Sequence, residues 1–331
     1  MRARLLALEK IPSNNRERRQ GRKERADAGP PSRQYRRKSR SVRMRVLIVG
    51  SRGQLGTDLV RAFADADVIP YTSEDMDITD EAAVQQRIAF TAPDLVINSA
   101  AFTRVDECER EHLRAFQINA LGPRHLALAC KRWDVPLIHI STNYVFDGKK
   151  SSPYEETDAP EPLNAYGITK LAGEHYVTCS WKKHYLVRVA GLFGLTPSRM
   201  KGTNFVEAML RLGAKGTLLR IVNDESLSPT YTHDAAASIR RLADTGAYGL
   251  YHLCNQGSCT WYEFAEEIFH QAGMAVKLMP VSAEEYGAPA KRPSNSSLST
   301  ARLDAMGLAP QQTWQEALRD YLARRAPRAQ P

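Results

Sequence analysis

No CxxC pair occurs in this sequence, and its five cysteines, Cys108, Cys130, Cys179, Cys254 and Cys259, are odd in number and widely spaced. A disulfide framework or a thiolate zinc site is therefore not expected, and free thiols in a reducing compartment fit best. Nor is there any stretch approaching the roughly 20 apolar residues of a membrane helix. The first residues include Leu5 and Leu6 but lack a signal peptide's continuous apolar run, so the expected location is cytoplasmic, with no membrane partner. Internal repeats are absent as well, which excludes solenoid and propeller architectures.

Acidic residues are scarce at one end only. The formal net charge of +9 would suggest a nucleic-acid partner if it were spread over a folded surface. Residues 1–43 hold 15 Lys/Arg against four Asp/Glu, which leaves 31 against 33 for the remainder. The excess thus belongs to an Arg-rich, apolar-poor segment, expected to be a disordered extension ahead of Met44. Its alternatives are an arm for anionic surfaces or RNA, or a transit peptide, the latter opposed by Glu9, Glu17, Glu24 and Asp27. For the rest of the chain no nucleic-acid partner is expected.

What is there begins at Met44. Arg45–Val49 is a β-branched apolar run ending at Gly50, as in a buried parallel strand, and Leu55, Leu59, Val60 and Phe63 follow at helical spacing. Further apolar runs at Asp67–Tyr71, Asp94–Asn98, Val135–Ile140 and Tyr185–Val189 alternate with helical patterns at Glu81–Phe90, Ala115–Trp133 and Ala165–Val177. This alternation predicts an α/β fold with a doubly wound parallel sheet of the Rossmann kind. After about residue 190 it loosens. The expected organisation is a dinucleotide-binding domain over 44–190 and a smaller mixed substrate lobe over 191–331, with some segments returning to the first domain.

The turn Gly50-Ser51-Arg52-Gly53-Gln54-Leu55-Gly56 lies between the first strand and first helix, where a pyrophosphate can approach the backbone and the helix N-terminus. Tyr166 and Lys170 stand four apart on a helix and share a face, so the ammonium can favour phenolate and bring the tyrosine toward a working range. Ser141, Thr142 and Asn143 stand where an apolar strand ends, at the sheet edge where doubly wound folds bind ligands. Each signal is weak alone. Glycines close many turns, YxxxK is often an exposed helix turn, and Ser/Thr often cap loops.

Together and in this order they resemble the short-chain dehydrogenase/reductase superfamily, and within its extended branch the dTDP-4-dehydrorhamnose reductase family. The resemblance runs from Met44 almost to the C-terminus, through 94–103, Ile118-Asn119-Ala120, the STNYVFDG stretch at 141–148 and the long match Pro162–Glu174. It continues through Asn204-Phe205, Ser228-Pro229-Thr230, 249–253 and Lys291–Ser296, in the more variable half of such folds.

That resemblance implies reduction of the C4 keto group of a nucleotide-linked 6-deoxyhexose. Thr142 would bond the carbonyl, Tyr166 would give it a proton, and Lys170 would hold the ribose and assist Tyr166. Gly50, Gly53 and Gly56 would surround the pyrophosphate with Arg52, Gln54 and Leu55 on the same turn. Asp77 and Ile78 would flank the adenine, and Ala100 and Ala101 would line the cofactor's path. Asn143 would join Thr142 in contacting substrate, and Asn204, Arg292 and Asn295 are candidates for its diphosphate. No metal is expected, and a homodimer is compatible.

Two departures bear on the sugar: Asn143 replaces the family's usual acidic residue, and Gly191 stands where a tryptophan is usual. Cofactor choice leans to NADPH over NADH, because the second strand ends in Thr72-Ser73 and Arg52 can reach a 2′-phosphate. Glu74 and Asp75 could fold back against that phosphate. Two other functions remain open on the residues. One is a non-catalytic, cofactor-binding regulatory subunit like the β-subunit of methionine adenosyltransferase. The other is a sugar-nucleotide epimerase or dehydratase.

His139, inside an apolar strand, reads as a satisfied core histidine with no second ligand at metal spacing. Glu207, Glu266 and Glu267 read as solvated helix faces, and Trp261, Tyr262, Phe264 and Phe269 as packing of the small lobe.

Overall fold

The computed structural model describes residues 43–198 and 200–325. The expected N-terminal extension, apart from Arg43, lies outside the described residues. Six parallel strands form the central sheet: β1 (Arg45–Val49), β2 (Asp67–Tyr71), β3 (Leu95–Asn98), β4 (Leu137–Thr142), β5 (His184–Val189) and β6 (Gly249–Leu253). Their spatial order is β6-β5-β4-β3-β1-β2. The order reverses at β1 and β3, so a crevice opens there above the strands' carboxyl ends.

Alternation along the strands builds two cores. Val46 and Ile48 of β1 point to the face covered by α1 (Gln54–Ala62), while Leu47 and Val49 point to the face covered by α2 (Glu81–Thr91) and α3 (Gly122–Arg132). Every residue of β3 and β4 is buried, which explains their near-continuous apolar character. The helix expected over Ala115–Trp133 is three consecutive pieces, His112–Phe116, a π-helical turn Gln117–Leu121, and α3. Within the π turn, Asn119 sits fully buried and both gives to and takes from the Phe102 backbone.

The helix α4 (Ala165–Ser180) carries the YxxxK pair. Asn164 caps it, accepting from Gly167 N at 2.8 Å. Gly167 and Gly173 let it approach closely: a Cβ at either would stand 2.2 Å from the carbonyl oxygen of Tyr144 or Asn119, respectively. The chain then builds a second apolar cluster from α5 (Phe205–Gly213), α7 (Trp261–Gln271) and α8 (Trp314–Arg324), with Val206, Phe264, Phe269 and Trp314 at its centre. Between them α6 (Thr232–Ala243) and β6 return to the central sheet, with Ala235, Ala236 and Ile239 packed on the same core as α1. Among the described residues no helix is long and apolar enough to cross a membrane.

Candidate active site

One cleft of about 1260 Å³ runs along the carboxyl edge of the sheet. It is walled by the 50–56 turn, the ends of β3, β4 and β5, the start of α4, and segments of the second cluster that include Asn204, Phe205, Trp261 and Arg292.

At one end the wall is backbone. Gly50 has φ +78°, a left-handed conformation, and a Cβ there would lie 2.7 Å from Ala100 N; one on Gly56 would lie 2.1 Å from Gly50 O. The first turn of α1 holds no acidic residue and its N-cap, Gly53, supplies no side-chain bond, so its orphan N–H groups face the cleft. Gln54 adds a buried Nε2 with no partner among the described residues. These features fit a dinucleotide's pyrophosphate. Gly50, Arg52, Gly53, Gln54, Leu55, Gly56, Asp77, Ile78, Ala100 and Ala101 all line this end.

At the edge of β2, Thr72 and Ser73 also face the cleft. Asp75 does not fold back toward it. Its Oδ2 accepts from Thr72 N and Oγ1, both at 2.8 Å, and these bonds hold its carboxyl below the usual range. Glu74 lies 4.0 Å from Arg52 Nη1, with both side chains largely exposed.

Midway, Thr142, Tyr166 and Lys170 converge, and all three line the cleft. Thr142 ends β4, and its hydroxyl is within hydrogen-bonding reach of the Tyr166 phenol. Lys170 is almost fully buried, and its Nζ donates to Ile140 O at 2.7 Å. Burial brings this lysine down to about 8, opposed by the Glu174 carboxylate. The sequence suggested a cation-lowered phenol at Tyr166. The structure shows the reverse: burial pushes the phenol up, and only the Thr142 hydroxyl pulls it back.

Asn143 explains how Thr142 is held. Its Nδ2 donates to Ser296 O at 3.2 Å and Ser296 Oγ at 2.8 Å. A backbone carbonyl cannot donate, so the amide's orientation is fixed and Oδ1 must face Thr142 as an acceptor. The Thr142 proton therefore points to Asn143 at 3.2 Å, while Tyr144 N donates to the same hydroxyl oxygen at 3.2 Å.

The substrate candidates divide. Arg292 lines the cleft, but its Nη2 is gripped by both oxygens of Asp106 at 3.1 and 3.2 Å, and its Nη1 donates to Ala290 O. It also bonds the Tyr144 hydroxyl, whose ring meets the Tyr166 ring edge-on at 5.9 Å. Asn204 lines the cleft while capping α5 through Glu207 N and giving Nδ2 to Gly194 O. Asn295 is a correction: it is not among the cleft residues. Its Nδ2 donates to the carbonyls of Lys150 and Ser152, and its Oδ1 accepts from Ser297, so it fastens one loop to another.

Two further residues differ from their expectation, and a third gains a second role. Glu207 is no solvated face, since it accepts from the Tyr321 hydroxyl at 2.7 Å and pairs with Arg325, tying α5 to the C-terminal helix. His139 is only half satisfied, with Asn98 Nδ2 3.1 Å from Nδ1 and no partner at Nε2 among the described residues. Trp261 and Phe205, 4.6 Å apart between ring centroids, pack the second cluster and also wall the cleft. Glu225 is buried beside Trp261 and bonds its side chain, an association that sequence spacing could not reveal.

Comparison with known proteins places this geometry in a family. Residues 44–326 match the family model described as the RmlD substrate binding domain. The chain is 40% identical over 284 residues to the spore coat polysaccharide biosynthesis protein SpsK of Bacillus subtilis, covering 85% of this chain and 98% of that protein. It is 38% identical over 287 residues to a dTDP-4-dehydrorhamnose reductase of Mycobacterium tuberculosis, covering 84% and 92% respectively. The crystal structure of a dTDP-4-dehydrorhamnose reductase from Bacillus anthracis in complex with NADP superposes with a TM-score of 0.81 at 39% identity, covering 85% of this chain and 99% of that one. The chain belongs to the dTDP-4-dehydrorhamnose reductase family of the extended short-chain dehydrogenases/reductases.

Proposed function

We propose that the protein is an NADPH-dependent reductase of the C4 keto group of a nucleotide-linked 6-deoxyhexose, converting dTDP-4-dehydrorhamnose to dTDP-L-rhamnose. The observation that carries this is the convergence of Thr142, Tyr166 and Lys170 in one cleft with a glycine turn shaped for a pyrophosphate.

In this reading Gly50, Gly53 and Gly56 admit the pyrophosphate to the backbone, with Gln54 and Leu55 beside it and Arg52 toward the 2′-phosphate. Asp77 and Ile78 stand at the adenine, and Ala100 and Ala101 between. Lys170 holds the nicotinamide ribose. The bound nicotinamide supplies a hydride to C4.

The protein's own part is to hold the carbonyl and give a proton. Thr142 and Tyr166 orient the carbonyl oxygen between their hydroxyls. As negative charge develops there, the Tyr166 O–H bond breaks and its proton passes to the C4 oxygen. Burial keeps the Tyr166 phenol protonated until the charge developing on the C4 oxygen draws the proton away. Lys170 then steadies the phenolate. When Thr142 turns its proton to the carbonyl, Asn143 Oδ1 is released to accept a substrate hydroxyl next to the keto carbon. Arg292 and Asn204 flank the diphosphate, with Arg292 acting as a fixed, already paired cation.

Dehydratases of this fold usually carry an acidic pair after the active-site threonine, and the position after Thr142 is here an amide pinned by Ser296. A homodimer is compatible with the same reading, and sedimentation measures it. The deciding experiment is cofactor oxidation with enzymatically prepared dTDP-4-keto-6-deoxyhexoses, followed by identification of the sugar product. Steady NADPH consumption with a dTDP-6-deoxyhexose product is expected. Tight NADPH binding without turnover on any such sugar would overturn it in favour of a regulatory binding subunit.

A further inference from the structure

Behind the catalytic residues lies a row of buried polar side chains that the chemistry above does not use. Ser141, Arg188 and His252 are neighbours across β4, β5 and β6, and Glu174 reaches them from α4. Ser141 Oγ donates to Glu174 Oε1 at 2.5 Å, and Arg188 grips both carboxylate oxygens, Nε to Oε1 at 3.0 Å and Nη2 to Oε2 at 2.7 Å. On its other side Arg188 lies 3.4 Å from His252 Nε2, and the Phe146 ring covers the guanidinium at 5.1 Å. All four polar residues are 4% exposed or less.

A buried ion pair adds little stability over apolar residues of similar volume, because desolvating two charges offsets their attraction. Its place in the fold suggests another purpose. Ser141 precedes Thr142, Arg188 precedes the cleft residue Val189, and Glu174 follows Lys170 by one helical turn. Lys170 needs such a neighbour. Its bonded partner is the uncharged carbonyl of Ile140, and low-dielectric surroundings disfavour an ammonium.

We propose that Glu174 is the counter-charge that holds the Lys170 ammonium beneath the cleft, and that Ser141 and Arg188 are positioning residues that fix Glu174 in that place. The proposal rests on the reductase reading for its kinetic consequence, though not for its electrostatics.

The titratable and charged groups facing Lys170 are Tyr166 and Glu174 on its own helix, His139 from β4, and Arg188 from β5 behind Glu174. His139 is kept neutral by burial, with the Lys170 charge acting in the same direction, so it supplies no opposing charge. His252 is likewise neutral, held near 3 by burial and by Arg188, so the row carries one anion and one cation. Lys170, at about 8, loses its ammonium as pH rises through that value. Removing the Glu174 charge therefore moves the loss to lower pH.

The test uses the full chain. Glu174→Gln keeps a carbonyl oxygen for Ser141 and removes the charge; the titration of Lys170 is read by competitive acetylation across pH with mass spectrometry of its peptide. The expected result is a downward shift of about one pH unit at Lys170, with the alkaline fall in kcat moving in step and KM within about twofold. Ser141→Ala should shift both in the same direction by less. If Glu174→Gln does not fold, because Arg188 is left buried and unpaired, Glu174→Gln with Arg188→Met removes both charges and should still shift Lys170 downward, by less than the single variant, because the cation opposing the nearer carboxylate is lost with it. Lys170 titrating as in the unaltered protein, whatever happens to activity, would overturn the proposal and leave the row a structural tie. A shifted Lys170 in a protein that never turns over would retain the counter-charge and sink the reductase reading instead.

Discussion

The two ends of the cleft are built by opposite means. At the 50–56 turn the surface is main chain, and the informative feature is the missing side chain: Gly50 and Gly56 have no space for a Cβ. At the other end the surface is side chains from distant segments, and each is already engaged, Arg292 with Asp106, Asn204 with Gly194 and Glu207, and Asn143 with Ser296. A backbone cradle fixes one rigid shape, which suits a cofactor common to many reactions. Paired side chains instead present groups whose partners set direction and charge, which suits discrimination among similar sugars. Thr142, Tyr166 and Lys170 stand between the two.

The strongest test of this contrast removes the group both ends serve. Tyr166→Phe should lower kcat by about 10²–10⁴-fold while NADPH affinity and melting temperature stay close to those of the unaltered protein. Stopped-flow and fluorescence titration would separate these. Next, Gly56→Ala should fail at the cofactor end alone. A methyl 2.1 Å from Gly50 O must push the turn aside, and losing a main-chain bond to a charged phosphate, about 1.5–3 kcal/mol, costs roughly 10–100-fold in affinity. Isothermal titration with NADPH measures it; near-normal affinity would show that the cradle is more pliable than its geometry implies.

How far each end could be read in the sequence follows from the same contrast. Rigid backbone leaves a local signature, so the glycine turn, the strand ends at Asn98 and Thr142, and the YxxxK helix were legible as spacing. The matching motif marks Asn295 as a diphosphate candidate, yet the bonds that occupy it run to Lys150 and Ser152, pairings set by tertiary folding. Glu207 was missed for the same reason, its partners being more than 100 residues away at Tyr321 and Arg325. At Tyr166 helical spacing shows a neighbouring lysine and cannot show the burial that raises the phenol.

At the substrate end, Asn143 gives a finer test. Asn143→Leu leaves the Thr142 proton and the Ser296 carbonyl without partners, and an unmet buried hydrogen bond costs roughly 1–3 kcal/mol. A loss of about tenfold in kcat/KM is expected, with NADPH binding unaltered. Asn143→Asp should be milder, because a carboxylate still accepts from Thr142 and can take the Ser296 hydroxyl, although it loses the donor to Ser296 O. Equal losses in both variants would show that the acceptor facing Thr142 is immaterial.

The smallest effect belongs to Arg52, where the cofactor end departs from pure backbone. Its guanidinium is 70% exposed and 4.0 Å from Glu74, which is itself 69% exposed, so solvent screens both charges. An exposed charge pair contributes at most about 1 kcal/mol, which corresponds to roughly a fivefold change in affinity. Arg52→Ala should thus weaken NADPH by about two- to fivefold and NADH by less than about twofold, because only NADPH brings the 2′-phosphate that the fork can meet. The converse follows from the same pair. Glu74→Gln takes away a negative charge beside the phosphate and should tighten NADPH slightly, while Asp75, turned inward on Thr72, should leave the ratio unchanged when replaced by Asn. Affinities measured at low and high salt sharpen the point, since the Arg52 contribution should shrink as screening grows and the main-chain cradle's should not. Equal losses of NADPH and NADH in Arg52→Ala would mean that Arg52 shapes the turn rather than reading the phosphate.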